Sequence, residues 1–137
     1  MKTIQKYISL LCLAVVFSGC IKDYDDDYKQ TKSLYGKWEV VKYEFTYYDE
    51  EFGWITDVEY PYSEGYREEY TFKKDGIYYY LYEDEYEMEL YKGLFEYRRT
   101  YIWLDNILYD LFIYENTMTL ETTYEDHTTK ITLESLE

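Results

Sequence analysis

Between Glu68 and Glu134 the sequence never places more than three residues between one apolar run and the next. The runs are Glu68 to Lys73, Ile77 to Tyr82, Tyr86 to Tyr97, Thr100 to Leu104, Ile107 to Tyr114, Thr117 to Tyr124 and Thr128 to Glu134. They are rich in Tyr, Thr, Ile, Phe and Trp, which suit a pleated, half-buried strand. The breaks include Lys74-Asp75-Gly76, Asp105-Asn106 and Glu115-Asn116, residue types that tolerate tight turns. A parallel neighbour would need a crossover of about a dozen residues, so each run must double back on the one before. Gly36 to Tyr47 adds an earlier run and brings the count to eight. Eight antiparallel strands in sequence order can close on themselves and remove both exposed edges. The expected fold is all-β, an eight-stranded antiparallel up-and-down barrel.

Within the first run the apolar phase changes. Trp38 and Val40 alternate with Glu39, whereas Val41, Tyr43, Phe45 and Tyr47 fall together one step later, which calls for a bulge near Val40-Val41. Asp49 to Gly65 holds Gly53, Pro61 and Gly65 and reads as a long connection or lid, with room for a short strand around Ile55 to Tyr60. Gly93 marks a bend or bulge inside its strand.

The chain opens with Lys2 and Lys6, an apolar stretch from Ile8 to Phe17, and then Ser18-Gly19-Cys20, the order of a secretion signal over residues 1–19. That stretch is about half of what a bilayer crossing needs. Phe17-Ser18-Gly19-Cys20 resembles the lipobox of bacterial lipoproteins, which implies cleavage before Cys20 and its acylation. Ordinary secretory cleavage that leaves Cys20 as a free thiol is the competing reading. Cys12 lies in the signal, so the expected mature chain has one cysteine and can form no internal disulfide. Residues 20–32 carry Asp23, Asp25, Asp26 and Asp27 without an apolar period and read as a flexible acidic tether. This run also looks like the surface-export signal of Bacteroidota lipoproteins, although four acids can equally serve only to keep a linker extended. The expected location is the outer membrane, lipid-anchored, facing either the cell surface or the periplasm.

The 137-residue chain has net charge −15, and loss of Lys2 and Lys6 makes it more negative. Phosphate backbones are repelled by such a charge, so no nucleic-acid partner is expected. Acidic chains poor in aromatics tend to be disordered. Here aromatics make up 23% of residues, 22 of them Tyr, so one packed domain over residues 33–137 is the expectation.

Leu34-Tyr35-Gly36-Lys37-Trp38 carries Gly-x-Trp at the head of the first strand. Together with Tyr70-Thr71-Phe72-Lys73-Lys74-Asp75-Gly76, Gly93-Leu94-Phe95 and Tyr101-Ile102-Trp103-Leu104, it resembles the lipocalin-like domains of Bacteroidota lipoproteins. That resemblance spans Ser33 to Glu134 and implies a barrel that carries a ligand. The second lipocalin motif is not recognisable, and the last strand offers Lys130 where lipocalins pack an arginine over the tryptophan.

Catalytic chemistry finds little material. His127 is the single histidine and falls in a turn, and no phosphate loop or zinc-type cluster is present. Glu87 and Glu89 share one strand face, which reads as a solvent face. No enzyme, cofactor or metal site is expected. In Ile77-Tyr78-Tyr79-Tyr80-Leu81-Tyr82 aromatic rings stand on both faces of one strand, so one row lies outside the core. Two functions stay open. The first is a membrane-anchored binding module that holds a small apolar or aromatic ligand near the barrel mouth, with Trp38, Phe72, Tyr79, Leu81, Phe95 and Trp103 as candidate lining. The second is a filled barrel that docks a protein or glycan through a tyrosine-rich outer wall.

Overall fold

A computed structural model describes residues 32–137. The segments expected to be a signal peptide and an acidic tether, with Cys20, lie outside the described residues apart from Lys32. Nine strands follow one another: β1 Gly36–Asp49, β2 Gly53–Glu59, β3 Arg67–Phe72, β4 Ile77–Glu83, β5 Met88–Arg98, β6 Tyr101–Leu104, β7 Ile107–Tyr114, β8 Thr117–Tyr124 and β9 His127–Ser135. A single helical turn, α1 Pro61–Glu64, separates β2 from β3. All neighbours are antiparallel, and β1 pairs with β9, so β1 and β3 to β9 close into an eight-stranded up-and-down barrel.

The ninth strand, β2, falls where a short strand was expected around Ile55 to Tyr60, inside the segment read as a connection or lid. β2 and β3 both pair with the same edge of β1, β3 with Gly36 to Glu39 and β2 with Tyr43 to Asp49. They are in effect one strand interrupted by α1, whose buried Pro61 occupies the N1/N2 position where a missing N–H costs nothing. The Asp49 to Gly65 segment is therefore an ordered hairpin arm that prolongs β1. Aromatic and β-branched residues such as Trp54, Ile55, Thr56 and Val58 suit it to pair. The expected phase change in β1 is present as a register shift against β9 between Val40 and Lys42.

Side chains that alternate inward fill the lower half of the barrel. Trp38, Val40, Phe72, Ile102, Leu104, Leu111, Ile113, Met118, Leu120, Ile131 and Leu133 form one buried cluster. Leu34 closes it from below, held by the Trp38 indole N–H, which donates to the Leu34 carbonyl at 2.8 Å. Leu34, Trp38, Phe72, Ile102, Ile113, Met118, Leu120 and Leu133 are fully withdrawn from water, and each such burial is worth roughly 1.5–3 kcal/mol.

The upper wall is uneven. β5 pairs with β6 only from Phe95 to Arg98, and β7 pairs with β8 only from Asp110 downward. The short β6–β7 hairpin is paired with β5 along the whole of β6, but its other arm stands apart from β8 above Asp110. Asp105 in its turn ties it back: its carboxylate accepts from the Leu94 N–H at 3.0 Å, the Tyr78 hydroxyl at 2.7 Å and the Tyr91 hydroxyl at 2.9 Å.

Candidate functional site

Above the apolar floor the inward row changes character. On β3, Glu68, Tyr70 and Phe72 share the inner face. On β4, Tyr78, Tyr80 and Tyr82 do so, and the cross-strand pairs Tyr70 with Tyr80 and Phe72 with Tyr78 put these rings side by side. Tyr43 comes in from β1, stacked on Phe45 with 5.7 Å between ring centres, and Tyr109 from β7. Tyr66 stacks on Tyr82 at 5.6 Å, and Tyr70 meets Tyr80 at 5.0 Å. The upper barrel is thus a chamber walled by tyrosine.

Glu68 lies at its centre, only 7% exposed. The Tyr43 hydroxyl donates to its Oε2, and Tyr80 stands near enough for the carboxylate's charge to act on it. None of the ion pairs among the described residues includes Glu68. Burial, then the bond to Glu68, pushes the Tyr43 hydroxyl far above the usual tyrosine range. Tyr80 is likewise raised, by burial first and by the Glu68 charge next, and Tyr70 is raised by burial. These hydroxyls stay protonated, and so remain donors, over any physiological pH.

Nearer the rim the same pairing recurs. The Tyr66 hydroxyl donates to Glu59 at 2.8 Å and the Tyr82 hydroxyl to Asp84 at 2.9 Å. Asp84 also accepts from the Tyr86 and Glu87 N–H groups, bonds that lower its pKa. The splayed upper ends of β7 and β8 leave a cleft of about 580 Å³ bordered by Trp103, Ile107, Leu108, Tyr109, Thr122 and Tyr124. Tyr109 is common to this cleft and to the chamber, since it borders the one and packs against the core close to Tyr70. The cleft is of a size that small-molecule sites occupy.

The six residues expected to line a site are scattered. Trp38 and Phe72 are in the sealed floor, and Phe95 packs edge-on against Phe72 at 5.3 Å. Tyr79 and Leu81 alternate with the buried Tyr78 row and therefore stand on the outer face, a correction to their expected place. The inward row is the all-tyrosine one because Gly93 opposite Tyr78 leaves space for its ring, and Asp105 satisfies its hydroxyl. Trp103 faces outward between buried Ile102 and Leu104 and borders the cleft. Glu89 is exposed to solvent at the open rim, as expected, although its register puts it on the side of Tyr91 and Gly93. His127 is exposed at the start of β9, near Tyr47. Among the described residues no group of three His, Cys, Asp or Glu could hold a metal ion.

Glu68, Tyr43, Tyr70, Tyr80 and Tyr109 escaped sequence reasoning. One signal for them existed: Glu68 falls in phase with Tyr70 and Phe72, an acid on the apolar row of a strand. Set against known proteins, the chain matches no family model, no curated protein and no solved structure.

Proposed function

We propose that this protein is a lipid-anchored, non-enzymatic binding module, a lipocalin-like lipoprotein of the Bacteroidota type, that holds a small apolar or aromatic molecule at the open end of its barrel. The observation that carries this reading is the change from an apolar floor to a tyrosine-lined chamber beside a cleft of about 580 Å³. Ring faces supply apolar contact area at low entropic cost, and hydroxyls held in place by carboxylates give the wall a fixed shape. Acylation at Cys20 would hold the module at the outer membrane, since each buried methylene contributes about 0.8 kcal/mol and two or three chains suffice for stable anchoring. Native mass spectrometry of the full chain purified from its own host tests the reading. A retained small molecule is the expected result, and a uniformly empty barrel from membrane extracts would count against it. Cys20→Ala should move the protein out of the membrane fraction; unchanged retention would sink the anchor.

A second reading rests on the outer wall. Trp103 and Leu108 are cross-strand partners with exposed side chains, and Phe112 and Tyr114 continue along β7 on the same face. Such a surface suits a protein or glycan partner.

A further inference from the structure

We propose that the tyrosine chamber selects organic cations, meaning protonated or quaternary amines carried on a small apolar or aromatic body. This rests on the binding-module reading above and specifies its ligand. Three observations point the same way, and each is independent of the others.

The first is how the hydroxyls are used. A tyrosine hydroxyl has one proton to donate. Tyr43 directs its proton to Glu68, Tyr66 to Glu59, Tyr82 to Asp84, and Tyr78 and Tyr91 to Asp105. With the protons committed to carboxylates, what these side chains offer a ligand is oxygen lone pairs and ring faces. Both are electron-rich. An anionic ligand meets carboxylates and oxygen lone pairs along this wall, whereas an ammonium group finds acceptors and π faces.

The second is the sidedness of charge. Lys37, Lys42, Arg67, Lys92, Arg98 and Lys130 each neighbour an inward residue along their strands and therefore fall on the outer face. Their ion pairs, with Glu44, Glu69, Glu83 and Glu96, are on that face too. On the inner face the charged side chains of the described strands are acidic, among them Glu68 and, toward the rim, Asp57, Glu59 and Glu89. The interior field is of one sign.

The third is Glu68 itself. A carboxylate that is 7% exposed and has a hydroxyl group for its partner is costly to keep unless a positive charge accompanies it. A bound ammonium over the faces of Tyr66, Tyr80 and Tyr82 would provide that charge, in a site where low dielectric strengthens the attraction. A core built for stability alone would have placed Leu or Val at this position.

The test is a titration of the full chain in detergent, followed by calorimetry and by tyrosine ring resonances, with three probes of one shape class: benzyltrimethylammonium, benzyl alcohol and phenylacetate. Salt is held at physiological strength to screen diffuse attraction to the acidic surface. Benzyltrimethylammonium should bind at least tenfold more tightly than benzyl alcohol, with phenylacetate weakest and with shifts at Tyr66, Tyr80 and Tyr109. Glu68→Gln should cut the preference for the cation at least fivefold while leaving benzyl alcohol unchanged. Equal binding of cation and alcohol, or tighter binding of phenylacetate, overturns the cation selectivity and leaves the pocket standing. No binding by any of the three overturns both. Cation binding that leaves the chamber resonances unmoved is surface attraction and also overturns the proposal. Should Glu68→Gln not fold, the three-probe comparison on the unaltered chain decides the matter alone.

Discussion

The ring of Tyr78 lies across Gly93, its cross-strand partner, so closely that a Cβ built on the glycine would stand 2.5 Å from a ring carbon. The glycine is a socket for the ring, and Asp105 holds the far end of it. Gly93→Ala must push Tyr78 out of the core, an overpacking that costs about 1–3 kcal/mol. Urea unfolding measures this loss. The additional substitution Tyr78→Leu should recover part of it, because the clash then has no ring to meet.

Tyr43→Phe changes one atom and leaves the Glu68 carboxylate short of a donor. The expected loss is about 1–3 kcal/mol, the usual effect of unpairing a buried polar group. Denaturant midpoints should fall with an unchanged dependence on denaturant. A neutral result would mean that Tyr80 satisfies Glu68 in its place.

Trp38→Phe deletes the indole N–H that pins Leu34 beneath the barrel at 2.8 Å. An unfilled space and an unpaired carbonyl should together cost about 2–3 kcal/mol. Amide exchange at Leu34 and Tyr35 should accelerate more than exchange in β8.

The turns joining β6 to β7, β7 to β8 and β8 to β9 begin with Asp105, Glu115 and Glu125, all at positive φ near 53°. Glutamate has no special tolerance for that region, and the strain is about 1–2 kcal/mol. Glu125→Gly should relieve it, with a net gain of roughly 0.5–1 kcal/mol once the greater freedom of unfolded glycine is subtracted. Thermal unfolding reads the gain directly.

Stability should fall at both ends of the pH scale for different reasons. The Asp105 carboxyl is held below its ordinary pKa by the Leu94 N–H and then by Tyr78 and Tyr91, and Asp84 by backbone N–H groups. Groups of depressed pKa contribute stability above the unfolded value near 4, and that stability is lost as pH falls through the folded value. Asp105→Asn should flatten this acid limb. Tyr43, Tyr70, Tyr78 and Tyr80 are raised instead, so their contribution is complete below about pH 10 and declines above it. Phenolate absorbance should therefore rise in two stages, the second coinciding with unfolding.

The barrel was legible because turns of two or three residues admit one kind of strand pairing, and the Val40 to Tyr47 phase change betrayed its bulge. β2 was blurred by Asp57 and Glu59, the acids on either side of Val58 on an exposed arm. The chamber was harder to read. Period-two alternation tells which of Ile77 to Tyr82 share a face, but not which face is inside. That choice was made by Gly93 and Asp105, distant in sequence and close in space. By apolarity alone Ile77 and Leu81 outrank Tyr78 and Tyr80, so Tyr79 and Leu81 were assigned inward.

The pairing of β1 with β9 also sets the tempo of folding. Thr46 lies opposite Thr128, so the ring closes only between the two ends of the domain. Non-local pairing of this kind pays its loop entropy before any reward and makes folding slow. A chain emerging from its N-terminus would carry an unpartnered β1 edge until β9 arrives, since β2 and β3 cover only the opposite edge, and during that interval the open edge is free to pair with neighbouring chains.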